Sequence, residues 1–301
     1  MMADIGPKLG SPSTGVVITG GASGLGFASA RALAAVGRPV ALWDLNAERV
    51  EQAAAEIAAQ FDVETLGLRC DVRDVQAITD CAAETLAQMP DIGGLVHCAG
   101  VVDQEGLDGL TEESWDSGIA VHLRALPFLI KAFLPELASR PGSAIVAAAS
   151  INATLGNAIN PVYTAGKGGV LSLVRSLADR LAQDGIRINS LSPGQIITPM
   201  TRPVVDVLAP GHFESVSCWA AWARRRRSGA WSVSCCRTRR AISPPRRSWW
   251  TGEISLPSAE WGGGRAARTS TCASSSPGWA RHGRVICRGM ASVLKLLFLS
   301  R

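Results

Sequence analysis

Gly15-Val16-Val17-Ile18-Thr19-Gly20-Gly21-Ala22-Ser23-Gly24-Leu25-Gly26 is the stretch that decides the fold. Its first five residues form an apolar run bounded by turn formers, which reads as a buried strand. Gly24–Val36 then reads as a helix with Leu25, Ala28, Leu33 and Val36 facing inward. Between strand and helix lies a glycine-rich turn. Glycines there allow a tight bend and a close backbone approach, and the helix that follows offers free N–H groups at its positive end.

The same alternation continues outward. Pro39–Trp43 is the next strand, and Asn46 caps a helix Ala47–Gln60 whose stripe is Val50, Ala54 and Ile57. Thr65–Arg69, Gly94–Cys98, Ser143–Ala149 and Arg187–Leu191 read as strands. Val75–Gln88, a long stretch Glu112–Ser139, and Val162–Gln183 read as helices. The strands are apolar throughout rather than alternating, which suits a parallel sheet covered on both faces. Strand-helix order with short connections predicts an α/β fold: a doubly wound parallel sheet with helices on both faces.

Asp44 ends the second strand, 18 residues past Gly26. A carboxylate there accepts both hydroxyls of an adenosine ribose and repels a 2′-phosphate. The turn and Asp44 together predict a dinucleotide site that favours NAD over NADP. Arg49 lies close to Asp44 in sequence and is expected on the solvated face of its helix.

Tyr163, the only tyrosine, stands four residues before Lys167, and Ser150 lies 13 residues upstream at a strand end. On a helix, positions i and i+4 share one face. An ammonium so placed is expected to lower the pKa of the phenol toward working pH, where a general acid/base is most effective. Ser150 can hydrogen-bond the same substrate oxygen. Taken alone, a Tyr-x-x-x-Lys pair is in most cases an ordinary helix-surface contact, and the rest of the chain is what overturns that reading.

These features resemble the short-chain dehydrogenase/reductase family, over about residues 15–200. The Gly20-x-x-x-Gly24-x-Gly26 spacing is similar to its cofactor turn, Asp71-Val72 to its adenine-contacting pair, and His97-Cys98-Ala99-Gly100 to its Asn-Ala-Gly strand end. Ser150, Tyr163 and Lys167 resemble its catalytic triad. Asn189–Gly194 followed by Ile196 and Thr198 resembles its nicotinamide loop. The resemblance implies a Rossmann-type fold and hydride transfer between NAD(H) and a secondary alcohol or ketone. In it Tyr163 moves the proton, Lys167 lowers the Tyr163 pKa and bonds the nicotinamide ribose, and Ser150 orients the substrate oxygen. Gly20, Ser23, Gly24, Leu25, Gly26, Asp44, Asp71, Val72, Ala99, Gly100, Pro193, Ile196 and Thr198 would hold the cofactor. Substrate would sit over Ser150–Asn152, Asn157, Pro161 and Gln195. The pattern is shared about equally by 3-oxoacyl-carrier-protein reductases and hydroxysteroid dehydrogenases. It also implies a homodimer or homotetramer.

The chain departs from the family at three places. His122, in Val121-His122-Leu123, stands where the family has an Asn that completes a proton relay. It is read either as a relay residue or as an ordinary helix histidine. Gly166 replaces a Ser before Lys167, and Cys98 replaces an Asn.

Composition divides the chain. Of 301 residues, those up to 210 carry 14 Lys+Arg against 22 Asp+Glu, whereas 211–301 carry 16 against 3. The latter segment also holds 7 of 9 tryptophans and 5 of 8 cysteines, without helical or strand periodicity. It reads as the product of a reading-frame slip between about Pro210 and Trp222, leaving a nucleotide-binding fold with impaired catalysis as the alternative function. A basic nucleic-acid-binding tail is the competing reading. The expected domains are a flexible 1–14, a catalytic 15–210 and this tail. An apolar fraction of 47% supplies a core, and no run of about 18 uncharged apolar residues appears. Met1–Thr14 does not have the pattern of a signal peptide, so a cytoplasmic protein with reduced thiols, no membrane span and no metal is expected.

Overall fold

The computed structural model describes residues 13–140, 142–194 and 196–207. Gln195 and the whole charge-reversed segment, with its frame-slip and nucleic-acid readings, lie outside the described residues.

Six strands form one parallel sheet: β1 Gly15–Thr19, β2 Val40–Asp44, β3 Thr65–Arg69, β4 Ile92–His97, β5 Ala144–Ala148 and β6 Arg187–Leu191. Their order is β3-β2-β1-β4-β5-β6. The chain starts in the middle, winds outward to β3, crosses back and winds out to β6. The point where the winding reverses lies between β1 and β4, and in such sheets ligands bind beyond the strand C-termini at that crevice.

Helices α1 Gly24–Ala34 and α2 Ala47–Gln60 cover one face. The helices α3 Val75–Gln88, α5 Ala125–Ser139 and α7 Pro161–Gln183 cover the other, with α4 Glu112–Ile119 leading into α5. The pleat sorts each strand between two cores. From β1, Val17 joins the α3/α5/α7 side while Val16 and Ile18 join the α1/α2 side. Trp43 is fully buried, with its Nε1 donating to Thr85 Oγ1 at 3.0 Å and its ring 5.6 Å from that of Phe133. Burying each such side chain contributes roughly 1.5–3 kcal/mol, so the sheet core outweighs any single helix contact.

The expected doubly wound architecture is present, with corrections in detail. The helix expected over Gly24–Val36 ends at Ala34. Its buried residues are Gly26, Ser29, Ala30, Ala32, Leu33 and Ala34; Leu25, Ala28 and Val36 are only half-buried. Small residues face the sheet because the helix packs too close for larger ones. The stripe of α2 is as expected, Val50, Ala54 and Ile57 together with Ala53. Two short helices, α6 Asn152–Leu155 and α8 Arg202–Val207, were not expected.

The long helix expected over Glu112–Ser139 is present as one 28-residue run, with a local change of winding in its middle. Ala120–Arg124 forms a π-helical turn between α4 and α5. This stretch is long and apolar enough to span a membrane by composition, yet half of its most apolar window is buried inside the protein. Its apolar side chains Leu126, Leu129, Phe133 and Leu137 belong to the core beneath β4. Among the described residues, Cys70, Cys81 and Cys98 are free thiols.

Candidate active site

Every residue singled out from the sequence, Gln195 aside, lies at or beyond the C-terminal ends of the strands. Gly20, Ser23, Gly24, Leu25 and Gly26 form the β1–α1 turn; Asp44 ends β2; Asp71 and Val72 follow β3. Ala99 and Gly100 follow β4, Ser150 follows β5, and Pro193, Ile196 and Thr198 follow β6. Tyr163 and Lys167 lie on the first two turns of α7, and His122 is on the π turn.

The glycine-rich turn is built for a backbone approach. A Cβ on Gly26 would overlap the Gly20 carbonyl oxygen, so only glycine lets α1 start this close to β1. Ser23 takes the N-cap place without a side-chain cap bond, and the first turn of α1 carries no acidic residue. Its first amides have no acceptor within the helix, the general condition under which a helix N-terminus suits an anion. Asp44 ties this turn to the next helix. Its Oδ2 accepts the Ala22 N–H at 3.1 Å and its Oδ1 the Asn46 N–H at 3.2 Å. Arg49 is exposed and donates to Gln52 on the same helix, as its solvated-face reading requires. Asp71 is held by Arg73, whose Nη2 lies 2.7 Å from Oδ2. These hydrogen bonds keep the Asp71 carboxyl below its usual range. On the far side, Thr198 lies 3.6 Å from the point where a Cβ on Gly24 would sit, which closes the β6 loop over the turn.

Ser150, Tyr163 and Lys167 converge where β5 meets α7. The Ser150 hydroxyl acts on the Tyr163 phenol and opposes its upward pKa shift, while Ser150 Oγ accepts the Asn152 N–H at 3.2 Å. Lys167 is buried, donates from Nζ to the Ala148 carbonyl at 2.6 Å, and lies 5.7 Å from the centre of the Tyr163 ring. Burial lowers the Lys167 pKa to about 8, with Cys98 opposing. One expectation is corrected here. Burial raises the Tyr163 pKa above its ordinary value of 10, and only the Ser150 hydroxyl opposes it. Lys167 does not reverse this, because its ammonium is directed at Ala148 and is itself weakened by desolvation.

Two buried histidines, which the sequence reading left with an open role or none, organise the floor of the site. His97 Nδ1 accepts from Thr19 Oγ1 at 2.8 Å, and Thr19 Oγ1 in turn accepts the Ala99 N–H at 3.3 Å. His97 Nε2 donates to the Val121 carbonyl at 3.2 Å, inside the π turn. His122 Nε2 donates to the Val101 carbonyl at 2.9 Å, which leaves the lone pair on Nδ1. That Nδ1 is buried and, among the described residues, has no partner. Burial, reinforced by the Lys167 charge, holds both imidazoles down to about 3, so both are neutral.

The His122 ring occupies a slot between two glycines. A Cβ on Gly166 would meet His122 Cβ at 2.8 Å, and one on Gly100 would meet its Cε1 at 3.0 Å. The ring stands edge-on to Tyr163, centres 5.2 Å apart. The two departures His122 and Gly166 are in contact: a side chain at 166 would press first on His122 Cβ and then on its ring. Gly166→Ser is expected to destabilise the chain by about 1–3 kcal/mol through overpacking, and His122→Asn in the same chain to relieve only the part owed to the imidazole ring, since asparagine keeps the Cβ. Denaturant unfolding of both single variants and the double variant checks this; strictly additive effects would contradict the shared slot.

Asp103 and Asn160 carry site geometry that sequence reasoning missed. Asp103 binds the first turn of α7 and Asn160 binds Asp103. Their only sequence signal is the Asn-Pro pair that opens the helix.

Comparison with known proteins agrees with this architecture. The chain is 37% identical over 188 residues to a probable galactose dehydrogenase of Rhizobium meliloti, covering 62% of this chain and 73% of that one. It is 30% identical over 252 residues to an acetoacetyl-CoA reductase of Synechocystis, covering 82% and 95%. Among solved structures, L-sorbose reductase of Gluconobacter frateurii, complexed with NADPH and L-sorbose, superposes with a TM-score of 0.64. It is 25% identical, over 73% of this chain and 82% of that one. The short chain dehydrogenase profile matches residues 14–208, well over half of the sequence, and the chain belongs to that family of oxidoreductases.

Proposed function

We propose that the chain moves hydride between NAD(H) and the carbinol or carbonyl carbon of a secondary alcohol or ketone. The observation that carries this reading is the placing of Ser150 at the end of β5 and of Tyr163 on α7, with Lys167 held to Ala148 between them. They stand at the strand edge that also bears the glycine-rich turn.

The residues present suit a dinucleotide. The first amides of α1, the exposed Ser23 and the absence of an acidic residue in that first turn accommodate a pyrophosphate. Asp44 retains lone pairs for ribose hydroxyls, and its charge disfavours a 2′-phosphate. Val72, Ala99 and Gly100 line the same edge, and Ile196 and Thr198 face it from the β6 loop. Bound there, the nicotinamide supplies hydride chemistry that no side chain can.

The chain's own residues handle the proton and the placement. Tyr163, kept protonated by burial, donates from its hydroxyl to the substrate oxygen during reduction. Ser150 donates to the same oxygen and fixes its position. Lys167 supplies a buried positive charge beside the phenol as negative charge develops on it. The relatives' names include sugar and acyl-thioester chemistry, so the substrate panel should hold a keto sugar, a 3-oxoacyl thioester and a steroid ketone. Oxidation of NADH with at least one of these, lost in Tyr163→Phe, is the expected result. NADH binding with no turnover across the panel would instead favour a nucleotide-binding fold without catalysis.

The cofactor preference has its own test. Asp44→Ala is expected to weaken NADH binding by about tenfold or more, from the loss of hydrogen bonds to a charged group, and to improve NADPH binding. Fluorescence titration with both cofactors measures this; an unchanged NADH-to-NADPH affinity ratio would remove Asp44 from the ribose site.

A further inference from the structure

The loop after β4 and the segment that leads from β5 into α7 meet at the start of that helix. Asp103, in the loop after β4, sends its carboxylate to the first turn of that helix. Oδ2 accepts the Val162 N–H at 3.1 Å, and Oδ1 accepts the N–H of Tyr163 itself at 2.9 Å. A helix usually takes this cap from its own N-cap residue. Here Asn160 holds that place without capping, and its side chain donates to the Asp103 backbone carbonyl. The Gly106 N–H adds a second stitch, to the Ile159 carbonyl at 3.2 Å. On its other side, the Val101 carbonyl of this loop is bound by His122. Residues 101–106 thus clasp the π turn to the N-terminus of α7.

We propose that Asp103 is a positioning residue for Tyr163. It holds the first turn of α7 in the register that brings the phenol to Ser150. This rests on the reading of Tyr163 as the proton donor. Tyr163 is on α7, whereas Ser150 is at the end of β5 and is fixed by separate contacts: the Ala149 and Ile151 amides donate to the Leu191 and Pro193 carbonyls. Lys167 Nζ ties α7 to β5 at the Ala148 carbonyl one turn further on, but it does not hold the first turn, whose backbone carries Tyr163. The carboxylate from the β4 loop does so, since it binds the backbone of the residue that must be placed. Its negative charge at the positive end of a 23-residue helix makes the bond favourable.

The test uses the full 301-residue chain and three variants, Asp103→Ala, Asp103→Asn and Tyr163→Phe. In Asp103→Ala, kcat should fall roughly tenfold or more from misplacement alone, with KM changing less than kcat and NADH affinity staying within about twofold. Hydrogen exchange at the Val162 and Tyr163 amides should speed up. Asp103→Asn should recover part of both losses, because its amide oxygen still accepts one N–H; it also carries the comparison should the alanine variant fail to fold. Unchanged kcat or unchanged exchange at those amides in Asp103→Ala overturns the proposal. Full activity in Tyr163→Phe overturns instead the reading on which it rests. If the parent turns over no substrate, the exchange measurement alone decides whether Asp103 holds the Tyr163 turn.

Discussion

Tyr163→Phe is expected to lower NADH-dependent ketone reduction by about 10²–10⁴-fold, or about 3–5 kcal/mol of barrier, while leaving NADH affinity and thermal stability nearly unchanged. The separation follows from what each part of the side chain touches. The ring contributes the edge-on packing against His122 and the face near Lys167, and phenylalanine keeps both. The hydroxyl contributes the electrostatic interaction with Ser150 and the transferable proton, and phenylalanine loses only those. Because burial raises the Tyr163 pKa, the phenol is an acid at neutral pH, ready to donate to a carbonyl oxygen. Steady-state kinetics beside NADH titration measure the two halves. A variant that keeps most of its activity would mean that the proton comes from elsewhere.

Acid should unfold this protein at a pH where carboxylates still carry charge. His97 and His122 are held neutral down to about 3, whereas the unfolded chain binds a proton at each near the ordinary 6.5. Above 6.5 both states are neutral and native stability is intact. As pH falls from 6.5 toward 3, the unfolded chain gains protons that the native state refuses, so stability drains away. By about pH 5 each histidine costs about 2 kcal/mol, together a large share of the 5–15 kcal/mol typical of a domain. Lys167 acts in the same sense at higher pH. Lowered to about 8 from 10.5, it depresses stability below about 8 and releases that cost as pH rises toward 10.5. Denaturant midpoints measured between about pH 7.5 and pH 5 test this, and His97→Gln or His122→Asn should flatten the slope. A midpoint that does not move across that range would contradict the neutral-histidine floor.

The fold was legible where one residue's neighbours in sequence are also its neighbours in space. The apolar runs of β1 and β5 and the Val50–Ala54–Ile57 stripe of α2 are of this kind. In α1 the pattern misled, because the face against the sheet is built from Gly26, Ser29 and Ala30. Close packing selects small residues there, and they carry little hydrophobic signal. The π turn could not be read from a stretch that is apolar from end to end. Its Val121 carbonyl is bound by a histidine 24 residues away. The elements of the site were legible through spacing, since Ser150, Tyr163 and Lys167 each follow from a strand end or a helical turn. What joins them was not. Asp103 reaches the α7 amides from 60 residues away, and the fit of His122 against Gly166 exists only once two helices pack.

The central claim is that this strand edge passes hydride directly between cofactor and substrate. Its most direct test is isotopic. The full-length chain is mixed with NADH carrying deuterium at nicotinamide C4 and with each ketone of the panel, and the alcohol is analysed by mass spectrometry. One deuterium is expected on the carbinol carbon of at least one product, with labelled product lowered by about 10²-fold or more in equal time with Tyr163→Phe. Alcohol formed without deuterium on that carbon from either face of the labelled cofactor, or label transfer that persists undiminished in Tyr163→Phe, would contradict it.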